Sequence, residues 1–327
     1  MNLSYITLMN NLKSLLLTEG AHGMISQVEG LATSLKTEFV HKFIKINNFI
    51  EFLPPKFLPI SSYTFNFKEI ISNINPENLP DFIISCGRKS VIANIYLKNF
   101  LKEKYKKKII NIHIQDPKVS TNLFDFVILP EHDNDLEGKS VIRSKGALHY
   151  ITETEIANSQ DKNKKIDVSI ILGGPNKYYA FDDQEIINII SEAIDKLANN
   201  KNRMRIVSSR RTPENTLKLI KQKFENKNNI EIDTSLNKSK YISTLSNSEI
   251  LIVTSDSISM ISEAAITGKP IYIAHLTPIK NDYRFKRFFK LFEDMGIIKS
   301  LKNVEKVWTY EKLFESKRIA DIIKKEI

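Results

Sequence analysis

Residues 249–274 read EILIVTSDSISMISEAAITGKPIYIA, a stretch that holds one complete supersecondary unit. EILIVTS is an apolar run of strand length, and SDSIS supplies the small polar residues of a turn. MISEAAIT has the composition of a helix, which Gly268 ends before KPIYIA starts a second apolar run. Continuous apolar runs, in place of alternating ones, fit strands buried on both faces, as in parallel sheets.

Working outward, the same kind of run recurs at 12–18, 81–87, 107–114 and 124–130, then at 166–174 and 204–209. Between the runs lie helical patterns such as QVEGLATSL (27–35), SVIANIYLKNFLKEK (90–104), DQEIINIISEAIDKLANN (183–200) and PENTLKLIKQKFEN (213–226). Strand and helix alternate, which predicts α/β layers. The block ITETEIANSQDKNKK (151–165) is polar and lacks a strand signal, so it marks a domain boundary. The expected organisation is therefore two facing Rossmann-like domains with parallel sheets, 1–155 and 156–305, followed by C-terminal helices, 306–327, that pack back on the first domain. In such sheets ligands bind beyond the carboxyl ends of the strands, which puts functional residues just after strands and at the cleft between the halves.

A length of 327 residues accommodates two cores of ordinary size. With 42% hydrophobic and 26% charged residues the composition is that of a soluble globular protein, without the roughly 20 uninterrupted apolar residues of a bilayer span. The N-terminal MNLSYITLMNNLKSLLL is interrupted by Asn10, Asn11 and Lys13 and lacks a basic leader, and is read as mature protein. One cysteine, Cys86, excludes an intramolecular disulfide and a multi-cysteine zinc site, in keeping with a cytoplasmic setting. The net charge of +10 is spread along the chain in runs such as KEKYKKK (102–108) without a nucleic-acid-binding motif, so no nucleic-acid partner is expected.

Candidate site residues follow the strands. Gly20, His22 and Gly23 precede a helical pattern that starts near Ser26, where backbone amides can approach an anion. Arg88 follows Gly87 after the next run and can fork onto phosphate or carboxylate. His132 beside Asp133 suits a general base and its orienter. Asp133-Asn134-Asp135 matches the short D-x-D metal pattern, but acid-base chemistry is preferred and no metal is assigned. Gly173 and Gly174 close a strand where a phosphate could lie on backbone, a tight turn being the rival reading. Arg210 and Arg211 precede Thr212 and Pro213, a cap and first-turn pair, and offer cations to a phosphate.

In the opening stretch, Ser255, Asp256, Ser257 and Ser259 surround the start of a helix whose free amides favour a diphosphate. Glu263 lies four residues beyond Ser259 on a similar face, placed to accept the hydroxyls of a ribose. The alternative is that the serines only cap the helix. The spacing around Gly268 is not that of a Walker loop, which disfavours a P-loop enzyme. Further on, Phe285, Phe288, Phe289, Phe292 and Met295 form a stripe beside Arg284, Lys286, Arg287 and Lys290. Such a stripe fits an anionic membrane surface or, preferably, a core face with snorkelling cations.

The segments EGAHGMISQVEGLA, PDFIISCGR, IQDPK, FDFVILPEHD, ILGG, SSRRTPE, VTSDSISMISEAAITGKPIY and the RF..F..LFEDMG tail, in this order, resemble the mitochondrial fission factor family whose loss elongates mitochondria, especially its bacterial relatives. The resemblance covers nearly the whole chain. It implies a GT-B-like fold, and a second domain similar to the N-acetylglucosamine transferase of peptidoglycan precursor synthesis. In that pattern Glu263 would hold the nucleotide ribose, with Gly173 and Gly174 as the matching glycine pair; the first domain shows no counterpart of the acceptor motif. The hydroxyl turn with Glu263 leads to the expectation of glycosyl transfer from a nucleotide-sugar donor in the second domain to an undefined acceptor, with His22 or His132 as base and no separate cofactor. A non-catalytic adaptor at a membrane, cytoplasmic and peripheral at its inner face, and a sugar-nucleotide epimerase are the alternatives.

Overall fold

The computed structural model describes residues 12–133, 135–197, 202–302 and 308–327. The N-terminal stretch read as mature protein, up to residue 11, and Asn134 of the D-x-D pattern lie outside the described residues. The chain divides into two compact units, residues 1–150 with 315–327, and residues 151–314.

The first unit is built on a six-stranded parallel sheet in the order β2-β1-β3-β4-β5-β6. Its strands are β1 (Lys13–Thr18), β2 (Glu38–Phe43), β3 (Phe82–Cys86), β4 (Ile110–Ile114), β5 (Phe126–Pro130) and β6 (Val141–Ser144). Helix α1 (His22–Leu35) joins β1 to β2, the short α2 (Phe67–Ile71) precedes β3, and α3 (Val91–Tyr105) joins β3 to β4. Side chains alternate across a strand, so Leu16, Phe82 and Ile84 face one core with Val28, Leu31 and Leu35 of α1, whereas Leu15, Leu17 and Ile83 face another with Leu97 and Leu101 of α3. Helices on both faces explain why the interior strands carry unbroken apolar runs.

The second unit repeats the scheme, again all parallel, in the order β12-β11-β10-β7-β8-β9. Its strands are β7 (Ile166–Ile171), β8 (Met204–Val207), β9 (Ile230–Asp233), β10 (Ser248–Thr254), β11 (Ile271–Ala274) and β12 (Ile298–Ser300). The helices are α4 (Glu153–Asn158), α5 (Asp183–Leu197), α6 (Glu214–Phe224), α7 (Lys238–Asn247), α8 (Ile258–Ala265) and α9 (Tyr283–Asp294). The stretch that opens the sequence reading is thus β10-α8-β11, with Leu251 to Thr254 in register with Ile271 to Ala274.

The last helix, α10 (Glu315–Glu326), belongs to the first unit, where Ile319, Ala320 and Ile323 join the α1 core. Ser316 Oγ donates to His149 O at 2.9 Å and accepts from His149 N at 3.1 Å. The Glu315 carboxylate takes Lys145 N at 2.8 Å and the Arg318 guanidinium at 2.7 Å. At Gly30 of α1 a Cβ would stand 2.1 Å from His149 O, so only glycine admits that chain.

A buried polar network ties β3, β4 and α3. His113 Nδ1 shares a hydrogen bond with Ser85 Oγ at 2.8 Å, Asn94 Nδ2 donates to Ser85 Oγ at 2.7 Å, and Asn111 Nδ2 donates to Asn94 Oδ1 at 3.0 Å. Burial pulls the His113 pKa down to about 3, with Asp116 a smaller opposing influence. The folded state therefore binds fewer protons than the unfolded one, and the stability present above pH 6.5 is lost as pH falls from about 6.5 toward 3, at up to ~1.4 kcal/mol per pH unit for this one group. Unfolding midpoints followed from pH 7.5 to 5 should fall more steeply for the wild type than for His113→Gln; parallel curves would contradict this.

The aromatic stripe of α9 is a core face: Phe285, Phe288, Phe289 and Phe292 are all buried, and the Phe288 and Phe292 rings meet tilted at 40° with centroids 4.2 Å apart. The membrane reading of this stripe is therefore corrected, because no ring is left to enter a bilayer. Its cations are solvated on the other side, Lys286 pairing with Asp282 at 3.0 Å and Lys290 with Asp294 at 2.6 Å. Among the described residues no helix is long and apolar enough to cross a membrane.

Candidate functional site

In the second unit the chain runs β7, β8, β9 toward one edge and then returns to lay β10, β11 and β12 toward the other. Neighbouring β7 and β10 thus mark the topological switch point, where doubly wound sheets leave a crevice at their carboxyl ends. The loops that meet there carry Gly173 and Gly174 after β7, the turn Ser255–Ser257 after β10, and Ser209–Thr212 after β8.

Asp256 organises these loops. Its carboxylate accepts Gly174 N at 3.0 Å, Thr254 Oγ1 at 2.7 Å and Arg211 Nη2 at 2.8 Å, with the side chain fully buried. Gly173 N donates to Thr254 Oγ1 at 2.8 Å, and Arg211 Nη1 donates to Gly174 O at 2.7 Å. Both glycines are dictated by space: a Cβ on Gly173 would lie 2.1 Å from Asp256 Oδ2, and one on Gly174 would lie 2.1 Å from Arg211 O. The expectation that this pair offers bare amides to a phosphate is corrected, since both amides are already spent on β10 and its turn. Arg211 is likewise a strut, whereas Arg210 is exposed, with no hydrogen bond or ion pair among the described residues.

The hydroxyls divide in the same way. Ser257 is the N-cap of α8 and accepts Met260 N at 3.4 Å, and Ser255 Oγ accepts Leu276 N at 2.9 Å. Ser259 sits in the first turn, half-buried. Thr212 does not cap α6, whose N-cap is Pro213; its hydroxyl instead donates to Gly173 O at 2.6 Å and fastens the two loops. The other first-turn amides of α8 have no partner within the helix, which leaves its positive end available.

Glu263 lies in α8, buried, and accepts a hydrogen bond from Tyr241 Oη of α7 at 2.9 Å. Burial pushes its pKa up to about 7, the Tyr241 hydroxyl pulling the other way. A carboxyl group held near neutrality, with a single hydroxyl donor, keeps lone pairs free for further hydroxyls. Neither Tyr241 nor Asn176, whose Nδ2 donates to Asp256 O at 3.0 Å, stands out in the sequence, because nothing in it pairs α7 with α8 or an asparagine after β7 with the turn after β10.

The first unit has its own switch point, between β1 and β3. Gly20 and Gly87 close the two strand ends with φ of +94° and +93°, a conformation side chains disfavour. Helix α1 begins at His22, not near Ser26, and Gly23 lies in its first turn, where Gly23 O accepts Gln27 Nε2 at 3.1 Å. His22 is exposed, its ring edge-on to Tyr150 at 5.9 Å. Arg88 is exposed after β3 and reaches Glu51 O only at 3.5 Å, and Lys89 pairs with Glu51. His132 is buried at the end of interior strand β5, and its Nε2 is 4.0 Å from Asp133 Oδ1. That separation exceeds a hydrogen bond, so the base-and-orienter pair expected there is not formed. Among the described residues no group of three or more His, Cys, Asp or Glu is placed to hold a metal ion.

Two six-stranded parallel sheets covered by helices give the chain a GT-B-like fold. A putative UDP-N-acetylglucosamine 2-epimerase from Listeria monocytogenes superposes with a TM-score of 0.52 at 13% identity, covering 97% of this chain and 96% of its own. The glycosyltransferase of kitacinnamycin gives 0.53 at 11% identity, covering 97% and 99%. At such identities the likeness is one of fold alone. A family model described as "Mitochondrial fission ELM1" matches residues 22–327, and the chain belongs to that family. "Uncharacterized protein RP120" of Rickettsia prowazekii (strain Madrid E) is 30% identical over 94% of both chains. The "Mitochondrial fission protein ELM1" of Arabidopsis thaliana is 22% identical over 76% of this chain and 64% of its own length.

Proposed function

We propose that the second unit binds a nucleoside diphosphate sugar and that the chain is a glycosyltransferase-type protein. One observation carries the reading: Glu263, buried and bonded among the described residues by Tyr241 alone, stands in the helix that starts at the β7/β10 switch point. In this reading the carboxylate accepts ribose hydroxyls, and the diphosphate lies at the tip of α8 with Arg210 as its cation. When the sugar leaves, negative charge grows on the diphosphate oxygen, and the helix end and guanidinium offset it. Asp256 and Arg211 hold the loops in register and do not touch the ligand.

The protonation of Glu263 gives the test a pH signature. Only the carboxylate accepts from both ribose hydroxyls, so affinity for UDP or GDP should rise as pH increases through about 7 and then level off. Calorimetric titrations from pH 6 to 8.5 should show roughly tenfold tighter binding at the upper end, flattened in Glu263→Gln. Binding independent of both pH and the substitution would remove Glu263 from the site.

A further inference from the structure

Among the described residues, eight of the fourteen exposed large apolar side chains fall between residues 39 and 63, so exposure is concentrated in one region of the first unit. The loop 47–64 is the centre of it. Its ends are clasped by Asn47 N donating to Thr64 O at 3.0 Å and by the antiparallel bridge Ile46–Phe65. Between the clasps the loop is built, not loose: turns close at Ile50 and Leu53, and Thr64 Oγ1 donates to Pro59 O at 2.6 Å.

This loop has two apolar faces. Ile50, Leu53 and Leu58 point inward onto a core with Val91, Ile92 and Ile95 of α3, which accounts for its order. Phe49, Phe52, Phe57 and Tyr63 point outward, with relative exposures of 87%, 75%, 62% and 86%. Four aromatics held out on a fixed frame form a patch of the kind that marks an interaction surface. Charge selects the occupant. The only carboxylate of the loop, Glu51, is neutralised by Lys89, Lys56 lies 4.7 Å over the Phe57 ring, and Lys45 and Arg88 are exposed beside the loop. Exposed aromatics on a loop with Lys56 over one ring and further cations beside it, on a chain of net charge +10, complement the headgroup region of an anionic bilayer.

We propose that the 47–64 loop docks the first unit onto an anionic lipid surface, with Phe49, Phe52, Phe57 and Tyr63 entering the interface and Lys45, Lys56 and Arg88 facing the headgroups. The assignment is independent of nucleotide binding by the second unit. Flotation of the full chain with vesicles of phosphatidylcholine alone or mixed with phosphatidylglycerol tests it. The wild type should float with the anionic vesicles and not with the neutral ones, and binding should weaken with added salt. The variant Phe49→Ser/Phe52→Ser/Phe57→Ser/Tyr63→Ser should lose binding by roughly tenfold or more at an unchanged unfolding midpoint, since none of the four rings is buried. As a measurement that does not depend on that variant folding, Lys45→Glu/Lys56→Glu should weaken flotation on anionic vesicles alone. Equal flotation of the variants, no flotation of folded wild type, or a concentration-dependent dimer abolished by the same four substitutions would overturn the proposal, the last by giving the surface to a second copy.

Discussion

A chain truncated after Phe314 is expected to lose the cooperative unfolding transition of its first unit. Helix α10 buries Ile319, Ala320 and Ile323 completely, and its removal bares Val28, Leu31 and Leu35 of α1 as well. At about 1.5–3 kcal/mol for each large aliphatic side chain, the loss is on the order of 10 kcal/mol, against a net stability of about 5–15 kcal/mol for a domain. The hydrogen bonds of α10 to Lys145 N and to the His149 backbone are lost with it. Amide hydrogen exchange resolves the two units: protection in β1, β3 and β4 should vanish while β7 and β10 stay protected. Persistence of protection in β1 would show that α10 is an accessory.

Asp256→Ala should be the most damaging single substitution at the β7/β10 switch point. It strips Gly174 N, Thr254 Oγ1 and Arg211 of their shared acceptor at once. Arg211 is partly exposed and recovers water, but the Gly174 amide is buried, so the cost is about 2–4 kcal/mol and lowers the unfolding midpoint by roughly 5–15 °C. The vacated space is lined by an amide and a guanidinium, so inorganic phosphate or sulfate should raise the midpoint of the variant by more than that of the wild type. A variant as stable as wild type, or one indifferent to anions, would contradict the role given to this carboxylate.

The α/β class and the eight interior strands were legible because each is buried on both faces and reads as an apolar run, from SLLLT in β1 to IYIA in β11. The four strands without such a run, β2, β6, β9 and β12, are the four sheet edges. There one side meets water, and sequences such as EFVHKF and IKS carry charges that break the pattern. The stripe in α9 was ambiguous for a different reason: a helix repeats its apolar face every three to four residues whether that face meets a core or a bilayer. Loop 47–64 has no periodicity of either kind, and its two apolar faces emerge only once its ends are clasped.

At the candidate site the residues were legible but their partnerships were not. Gly173, Gly174, Arg211 and Asp256 each stand after a strand, as a switch point requires. That they bond to one another follows from contacts between residues 37 to 82 positions apart. Tyr241 was invisible for the same reason, since only the packing of α7 beside α8 brings its hydroxyl to Glu263. His132 looked reactive beside Asp133, yet the end of an interior strand carries it into the core.

The proposed grip of Glu263 on a ribose is tested most directly by titrating wild type and Glu263→Ala with UDP and with its 2′-deoxy counterpart at pH 8. The wild type should prefer the ribonucleotide by roughly tenfold or more, because the missing hydroxyl leaves a buried carboxylate oxygen unpaired, and the variant should bind both alike. Equal affinities in the wild type, or a preference that survives in Glu263→Ala, would contradict the account.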